Sequence, residues 1–254
     1  MIRTRLALLS CSLAALTAAP AAQPAKAVSA VPVVVELFTS EGCSSCPPAD
    51  ALLMDLVGSQ PVRGALIIGL SEHVDYWDQL GWKDPFSTAG FTERQSAYAA
   101  ASHSREVFTP QMIVDGSARL IGSDRSGAIA AITKAAAVPK PPIRLAWAVR
   151  APLTLEVSLD SSAAASNATL WLAITEDGLT SAVTRGENEG RQLRHSGVAR
   201  RLTSIGQTDR DGAVHLSTPV SLDRSWNRAA VHLVVFAQTR GDRRVVAAGA
   251  LDIQ

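Results

Sequence analysis

The stretch Val33-Val34-Val35-Glu36-Leu37-Phe38-Thr39-Ser40-Glu41-Gly42-Cys43-Ser44-Ser45-Cys46-Pro47-Pro48-Ala49-Asp50 decides how the rest of the chain is read. Its apolar, β-branched opening predicts a buried strand, and Thr39 to Gly42 a short polar turn. Ala51-Leu52-Leu53-Met54-Asp55-Leu56-Val57 then predicts a helix that Gly58 stops. Cys43 and Cys46 stand between strand and helix at CxxC spacing. A helix N-terminus carries unpaired N–H groups and a partial positive charge, so a cysteine there is stabilised as its thiolate. Cys43 is the expected nucleophile, exposed and the more acidic. Cys46 is the shielded thiol that resolves a mixed disulfide. The competing reading is a permanent structural disulfide at a surface turn. Pro47 and Pro48 remove two backbone donors and restrain the residues before them away from helical geometry. A helix beginning at the prolines lends less of its dipole to Cys43.

Upstream, Arg3 and Arg5 precede an uncharged run of apolar and small residues from Leu6 to Ala19. Ala19-Pro20-Ala21 and Ala25-Lys26-Ala27 both fit small-residue cleavage sites. Residues 1–27 are read as a secretory signal peptide, with the mature N-terminus between Gln23 and Val28. Leu8-Leu9-Ser10-Cys11 faintly resembles a lipoprotein box, and lipid attachment at Cys11 is the lesser reading. The protein is expected to be periplasmic or secreted. Export retains only Cys43 and Cys46, in a compartment where disulfides persist. Two cysteines are too few for a structural zinc site of four cysteines, or of three with a histidine. No downstream run approaches the ~20 apolar residues of a membrane span. The formal net charge is +1 and no basic stripe stands out, which argues against a nucleic-acid partner.

Downstream, Ala65-Leu66-Ile67-Ile68-Gly69-Leu70 predicts a second buried strand, parallel to the first and ending on the same edge. Ser71-Glu72-His73 should therefore emerge near the cysteines. The segment from Val74 to Phe86 carries Tyr76, Trp77, Trp82 and Phe86. A capping box at Thr92-Glu93-Arg94-Gln95 opens a helical pattern that runs to His103. Val107 to Val114 predicts a strand entered through Thr109-Pro110. Asp115-Gly116 is its hairpin turn, Arg119-Leu120-Ile121 the returning strand, and Ser123 or Asp124 caps a last helix.

The resulting βαβ-α-ββα order resembles that of thioredoxin-like domains, and Thr109-Pro110 falls where that fold carries a cis-proline. More closely, the chain resembles the secreted, thioredoxin-like family catalogued as domain of unknown function 1223. The residues that carry this are Glu36 to Ser40, Gly42 to Asp50, Val74-Asp75-Tyr76-Trp77-Asp78, Leu80-Gly81-Trp82, Arg94-Gln95, Tyr98, Thr109 to Met112 and Gly186-Glu187-Asn188. The resemblance spans nearly the whole mature chain. It implies an α/β thioredoxin-like domain over 31–138, with a helical and aromatic insertion over 72–107, and a β-rich C-terminal part. No cofactor is implied. The broader likeness to thioredoxin-like enzymes suggests thiol–disulfide exchange with protein or small-molecule thiols, an analogy of fold that must rest on the site.

Pro139-Lys140-Pro141-Pro142 reads as a stiff linker over 139–142. Beyond it the period becomes two: Ile143, Leu145, Trp147 and Val149, then Leu153 to Leu159, then Leu170, Leu172 and Ile174. Six or seven short strands predict an antiparallel, sandwich-like β-rich domain over 143–254. The polar segment Thr184 to Arg191 is read as a solvated connecting loop rather than one that approaches the cysteines.

Around the cysteines, Glu36 is acidic within an apolar strand. It is either a proton acceptor for Cys46 or a strand glutamate paired with an arginine. His73 and His103 with the two thiolates give an alternative copper(I) or zinc carrier, against the plainer reading of polar residues at element ends. Tyr76, Trp77 and Trp82 are candidate client-binding rings, with a mini-core as their alternative. The insertion is expected to cover part of the edge beside Cys43. The remaining alternative is a non-catalytic binding module.

Overall fold

The structure, a computed structural model, describes residues 30–253. The expected signal segment 1–27, with Cys11, lies outside the described residues. In chain order the N-terminal half builds β1 (Val31–Thr39), α1 (Pro47–Ser59), β2 (Ala65–His73), α2 (Ala89–Ala101), β3 (Gln111–Val114), β4 (Ala118–Ile121) and α3 (Arg125–Ala136). The C-terminal half adds β5 (Arg144–Arg150), β6 (Leu153–Leu159), β7 (Thr169–Glu176), β8 (Leu179–Ala182), β9 (Gln192–His195), β10 (Val198–Gln207), β11 (Val214–Pro219), β12 (Val231–Gln238) and β13 (Val245–Asp252). Among the described residues no helix is long and apolar enough to cross a membrane.

Local chemistry places most of these elements. Pro47 and Pro48 occupy the first turn of α1, where a missing N–H costs nothing. The helix runs through Gly58 and ends when Gln60 turns left-handed at φ 46°. Gln60 tolerates that strain because its side chain bonds to Val57 and to both backbone groups of Ile67. The start of α2 is Thr88, whose side chain accepts from the Phe91 N–H, four residues ahead of the expected capping box. The Thr92 hydroxyl is instead committed to Asp75. Asp124 caps α3 by accepting from the Gly127 N–H, and Asp115-Gly116 turns the β3–β4 hairpin.

The expected fold is overturned at the level of the sheet. One mixed eight-stranded sheet runs β13-β12-β7-β10-β2-β1-β3-β4 through both halves, and the described residues are mostly β with three short helices. The chain therefore does not form an α/β thioredoxin-like domain with an insertion, followed by a separate sandwich. The seam is a parallel pairing of Val198 with Ser71, with the Ser71 N–H bonded to the Gly197 carbonyl at 2.7 Å. Gly197 has φ 64°, and a Cβ there would stand 2.9 Å from the Gly69 oxygen, so a glycine permits the approach. Alternation marks which face of a strand is buried but not which strand lies beside it, and the sequence carries no sign of this seam. Strands β5, β6 and β11 form a second sheet whose Leu155, Val157 and Leu159 pack on Leu170, Leu172 and Leu233 of the large one. In the expected linker, Pro142 bridges to Ala248. Helix α2 is no appendage either, because Arg94 and Tyr98 lie buried against β1.

Candidate functional site

The site forms where parallel β1 and β2 end together and bring Thr39 beside His73. The chain then turns through Ser40 to Cys46 and enters α1 at the prolines. Cys43 and Cys46 are joined in a disulfide with Cα atoms 5.4 Å apart. Both are 0% exposed, which corrects the expectation of an accessible Cys43; Ser44 and Ser45 are the residues of the turn that face solvent. The Ser45 hydroxyl lies 3.3 Å from the Cys43 sulfur. The Thr109–Pro110 bond is cis, as expected from its place at the mouth of β3.

A clamp from the C-terminal half holds this turn. The Asn188 side-chain amide donates to the carbonyls of Glu41 and Cys43 at 2.8 and 3.0 Å, and Asn188 is fully buried. The Ser44 N–H donates to the Glu187 carboxylate at 3.0 Å, and the Ser44 side chain and this N–H together hold that carboxyl below the usual range. The segment 184–191 is thus not a bystander loop, which corrects its reading from composition.

Behind the turn lies a buried cluster of acids and imidazoles. Asp50 stands one helical turn after Cys46, its N–H bonded to the Cys46 carbonyl at 3.1 Å, and this spacing puts both side chains on one face of α1. His195 of β9 reaches in from the distant half, its Nδ1 3.9 Å from Asp50 and its Nε2 3.0 Å from the Glu41 carboxylate. Glu41 also accepts from the Trp82 indole at 2.8 Å. Asp84 accepts from the Glu41 N–H at 2.8 Å and lies 2.7 Å from His73 Nδ1. The two imidazoles meet edge to face at 4.9 Å, with Phe86 against both. Asp50 Oδ1, His195 Nδ1 and His73 Nε2 have no hydrogen-bond partner among the described residues.

The charges are set by environment. Burial pushes the Asp50 carboxyl up, against the pull of His195 and His73. Burial disfavours a charged His73, but Asp84 beside it outweighs this and raises its pKa. For Asp84, burial is outweighed by His73, and its pKa is lowered. Environment thus raises the pKa of His73 and of Asp50 and lowers that of Asp84, whose carboxylate lies 2.7 Å from the His73 ring.

Other expected residues go elsewhere. Glu36 projects to the opposite face of the sheet. There the Arg94 Nε donates to it at 2.6 Å and the Tyr98 hydroxyl donates to its second oxygen, so it is the arginine-paired strand glutamate. Trp77 and Trp82 are half-buried; Trp82 donates to Glu41 of the disulfide turn, and Trp77 to Thr109 beside the cis-proline. Tyr76 donates to Gln95. His103 is exposed and has no part in the cluster. Among the described residues no three His, Cys, Asp or Glu side chains are grouped to hold a metal ion. Asp50 was legible as the residue four after Cys46. Glu41, Asp84, Asn188 and His195 carried no local signal.

Comparison with known proteins agrees with this architecture and adds no activity. No functionally curated protein matches the chain. A crystal structure of a protein from Agrobacterium tumefaciens is similar at 28% identity and a TM-score of 0.72, covering 89% of this chain and 96% of that one. HBP35 of Porphyromonas gingivalis is similar in fold, with a TM-score of 0.61 at 13% identity over 88% of this chain and 75% of its own. The family described as protein of unknown function (DUF1223) matches residues 34–238, and the chain belongs to it.

Proposed function

We propose that the protein is an exported thiol–disulfide oxidoreductase whose Cys43–Cys46 pair exchanges with protein or small-molecule thiols. One observation carries the reading: a buried carboxyl, Asp50, whose pKa burial raises, sits on the Cys46 face of α1. A staple needs no proton donor there, whereas disulfide exchange does. An incoming thiolate attacks the Cys43 sulfur, the S–S bond breaks, and its electron pair leaves on Cys46. The Cys46 thiolate takes the proton of neutral Asp50, and the carboxylate so formed faces His195. A second substrate thiolate then attacks the mixed disulfide and releases Cys43, so two substrate thiols are oxidised as the pair is reduced. Access requires the Glu187–Asn188 clamp to open.

A second reading, the permanent staple, is favoured by the burial of both sulfurs. Equilibration of the folded protein in glutathione buffers, with alkylation and mass measurement, separates the two. The oxidoreductase reduces reversibly while folded, between about −120 and −270 mV. Asp50→Asn then slows exchange by ~10²-fold without lowering the melting temperature. Reduction only below about −300 mV, or only with unfolding, establishes the staple.

A further inference from the structure

A cavity of about 580 Å³ opens between α2 and strands β7 and β10, a size suited to a small organic molecule. Its apolar surface comes from Phe91, Ala97, Trp171 and Leu202. Its charge is one-sided: Arg94, Arg200, Arg201 and Arg243 line it, against a single carboxylate, Glu93. Thr88 and Gly90 add the positive end of α2.

The protein's own acids neutralise this charge only in part. Arg94 is matched by Glu36 beneath it at 2.6 Å. Arg200 reaches Glu176 only at 3.5 Å. Arg201 donates to the Ser221 carbonyl and lies over the Trp226 ring at 5.8 Å, with Asp223 near enough to feel its charge but in no ion pair with it among the described residues. Arg243 makes no ion pair among the described residues and is half-buried over the Tyr98 ring at 5.7 Å. Burial and the neighbouring Arg94 both pull its pKa down. A guanidinium held partly out of water beside a second guanidinium is costly unless an anion joins it.

We propose that this cavity binds a small organic carboxylate with a flat apolar body, its carboxylate taken by Arg243 and Arg201 and its body laid against Trp171 and Leu202. Guanidinium matches carboxylate in planar, two-pronged geometry. An aromatic wall accepts a flat ring, and the apolar lining excludes a fully hydrated ion such as free phosphate. This assignment is independent of the chemistry at Cys43 and Cys46.

Calorimetric titration of the full chain, disulfide intact, tests it with three probes: naphthalene-2-carboxylate, the neutral naphthalene-2-carboxamide and inorganic phosphate. The carboxylate is expected to bind saturably at one site per chain. The carboxamide is expected to bind at least tenfold more weakly, and phosphate not to compete at equal concentration. Arg243→Gln should weaken carboxylate binding about tenfold. Arg201→Gln, at an exposed side chain, should weaken it by a smaller factor and stands in should Arg243→Gln not fold. Arg63→Gln, exposed and distant from the cavity, should leave binding unchanged. Equal affinity for the carboxamide, equal competition by phosphate, no saturable binding, or indifference to the cavity substitutions would each overturn the proposal.

Discussion

Glu72 and His73 are neighbours in β2, yet they enter opposite faces of one sheet and two different buried charge clusters. On the α2 face, Glu36, Arg94, Tyr98 and Gln238 close on one another, with the Arg94 guanidinium bonded to Glu36, Tyr98 and Gln238. Burial and the nearby Glu36 push the Glu72 carboxyl well up, against the pull of Arg94. On the disulfide face, the ion pair His73–Asp84 coexists with Asp50, and polar atoms of Asp50, His73 and His195 are left without partners among the described residues. Both Glu72 oxygens also lack a partner among the described residues, so what distinguishes the α2 face is the direct closure of Glu36, Arg94, Tyr98 and Gln238 on one another, which has one arrangement and braces the fold. A network with open positions can change protonation without being dismantled, which is what chemistry at a neighbouring sulfur requires.

The largest test of this contrast is Arg94→Met. It leaves the Glu36 charge buried and unpaired, and should cost ~3–5 kcal/mol in a urea melt, with much of that recovered in the double variant Glu36→Gln/Arg94→Met. A loss below ~1 kcal/mol would mean that the α2-face cluster is no brace. Next is Asn188→Ala on the other face. It strands the Glu41 carbonyl and leaves the Cys43 carbonyl with the Cys46 N–H alone, and should cost ~1–3 kcal/mol. It should also speed reduction of the folded protein by dithiothreitol. Unchanged reduction kinetics would remove the clamp from the account of access.

The smallest effect is the pH dependence carried by His73. Its folded pKa is raised above the ordinary 6.5, so its stabilisation is full below that value and is lost as pH rises through the folded pKa. Asp84 is shifted down from 3.8, so its contribution is present above that value and lost as pH falls through the folded pKa. The pair therefore stabilises most between about pH 4 and 6.5. Asp50, shifted up, also makes stability fall as pH rises above 3.8, so only a variant isolates the imidazole. The melting-temperature gap between wild type and His73→Gln should be widest near pH 5.5 and narrow above pH 7. An equal gap at pH 5.5 and 8.5 would show that His73 is not charged in the folded state.

Legibility followed the range of the interaction. The strand–turn–helix around Cys43 and Cys46, the β3–β4 hairpin and the Asp124 cap were all readable. Gly58 misled as a helix stop because Gln60, two residues on, could afford a left-handed turn through its own side-chain bonds. Glu36 was read as either a proton acceptor or half of an ion pair. The outcome turned on Arg94, 58 residues away.

What the sequence determined by itself was local: which segments become strands and helices, where the cysteines sit between them, and that Asp50 shares a helix face with Cys46. Periodicity, proline and glycine act through near neighbours along the chain, so their consequences can be read in order. Tertiary structure alone decided that β10 docks on β2, that Asn188 and His195 reach Glu41 from 147 and 154 residues away, and that four arginines converge beside α2. Those outcomes depend on which surfaces meet once both halves share one sheet, and a loop asparagine or strand histidine carries no mark in its neighbours of the partner it will find.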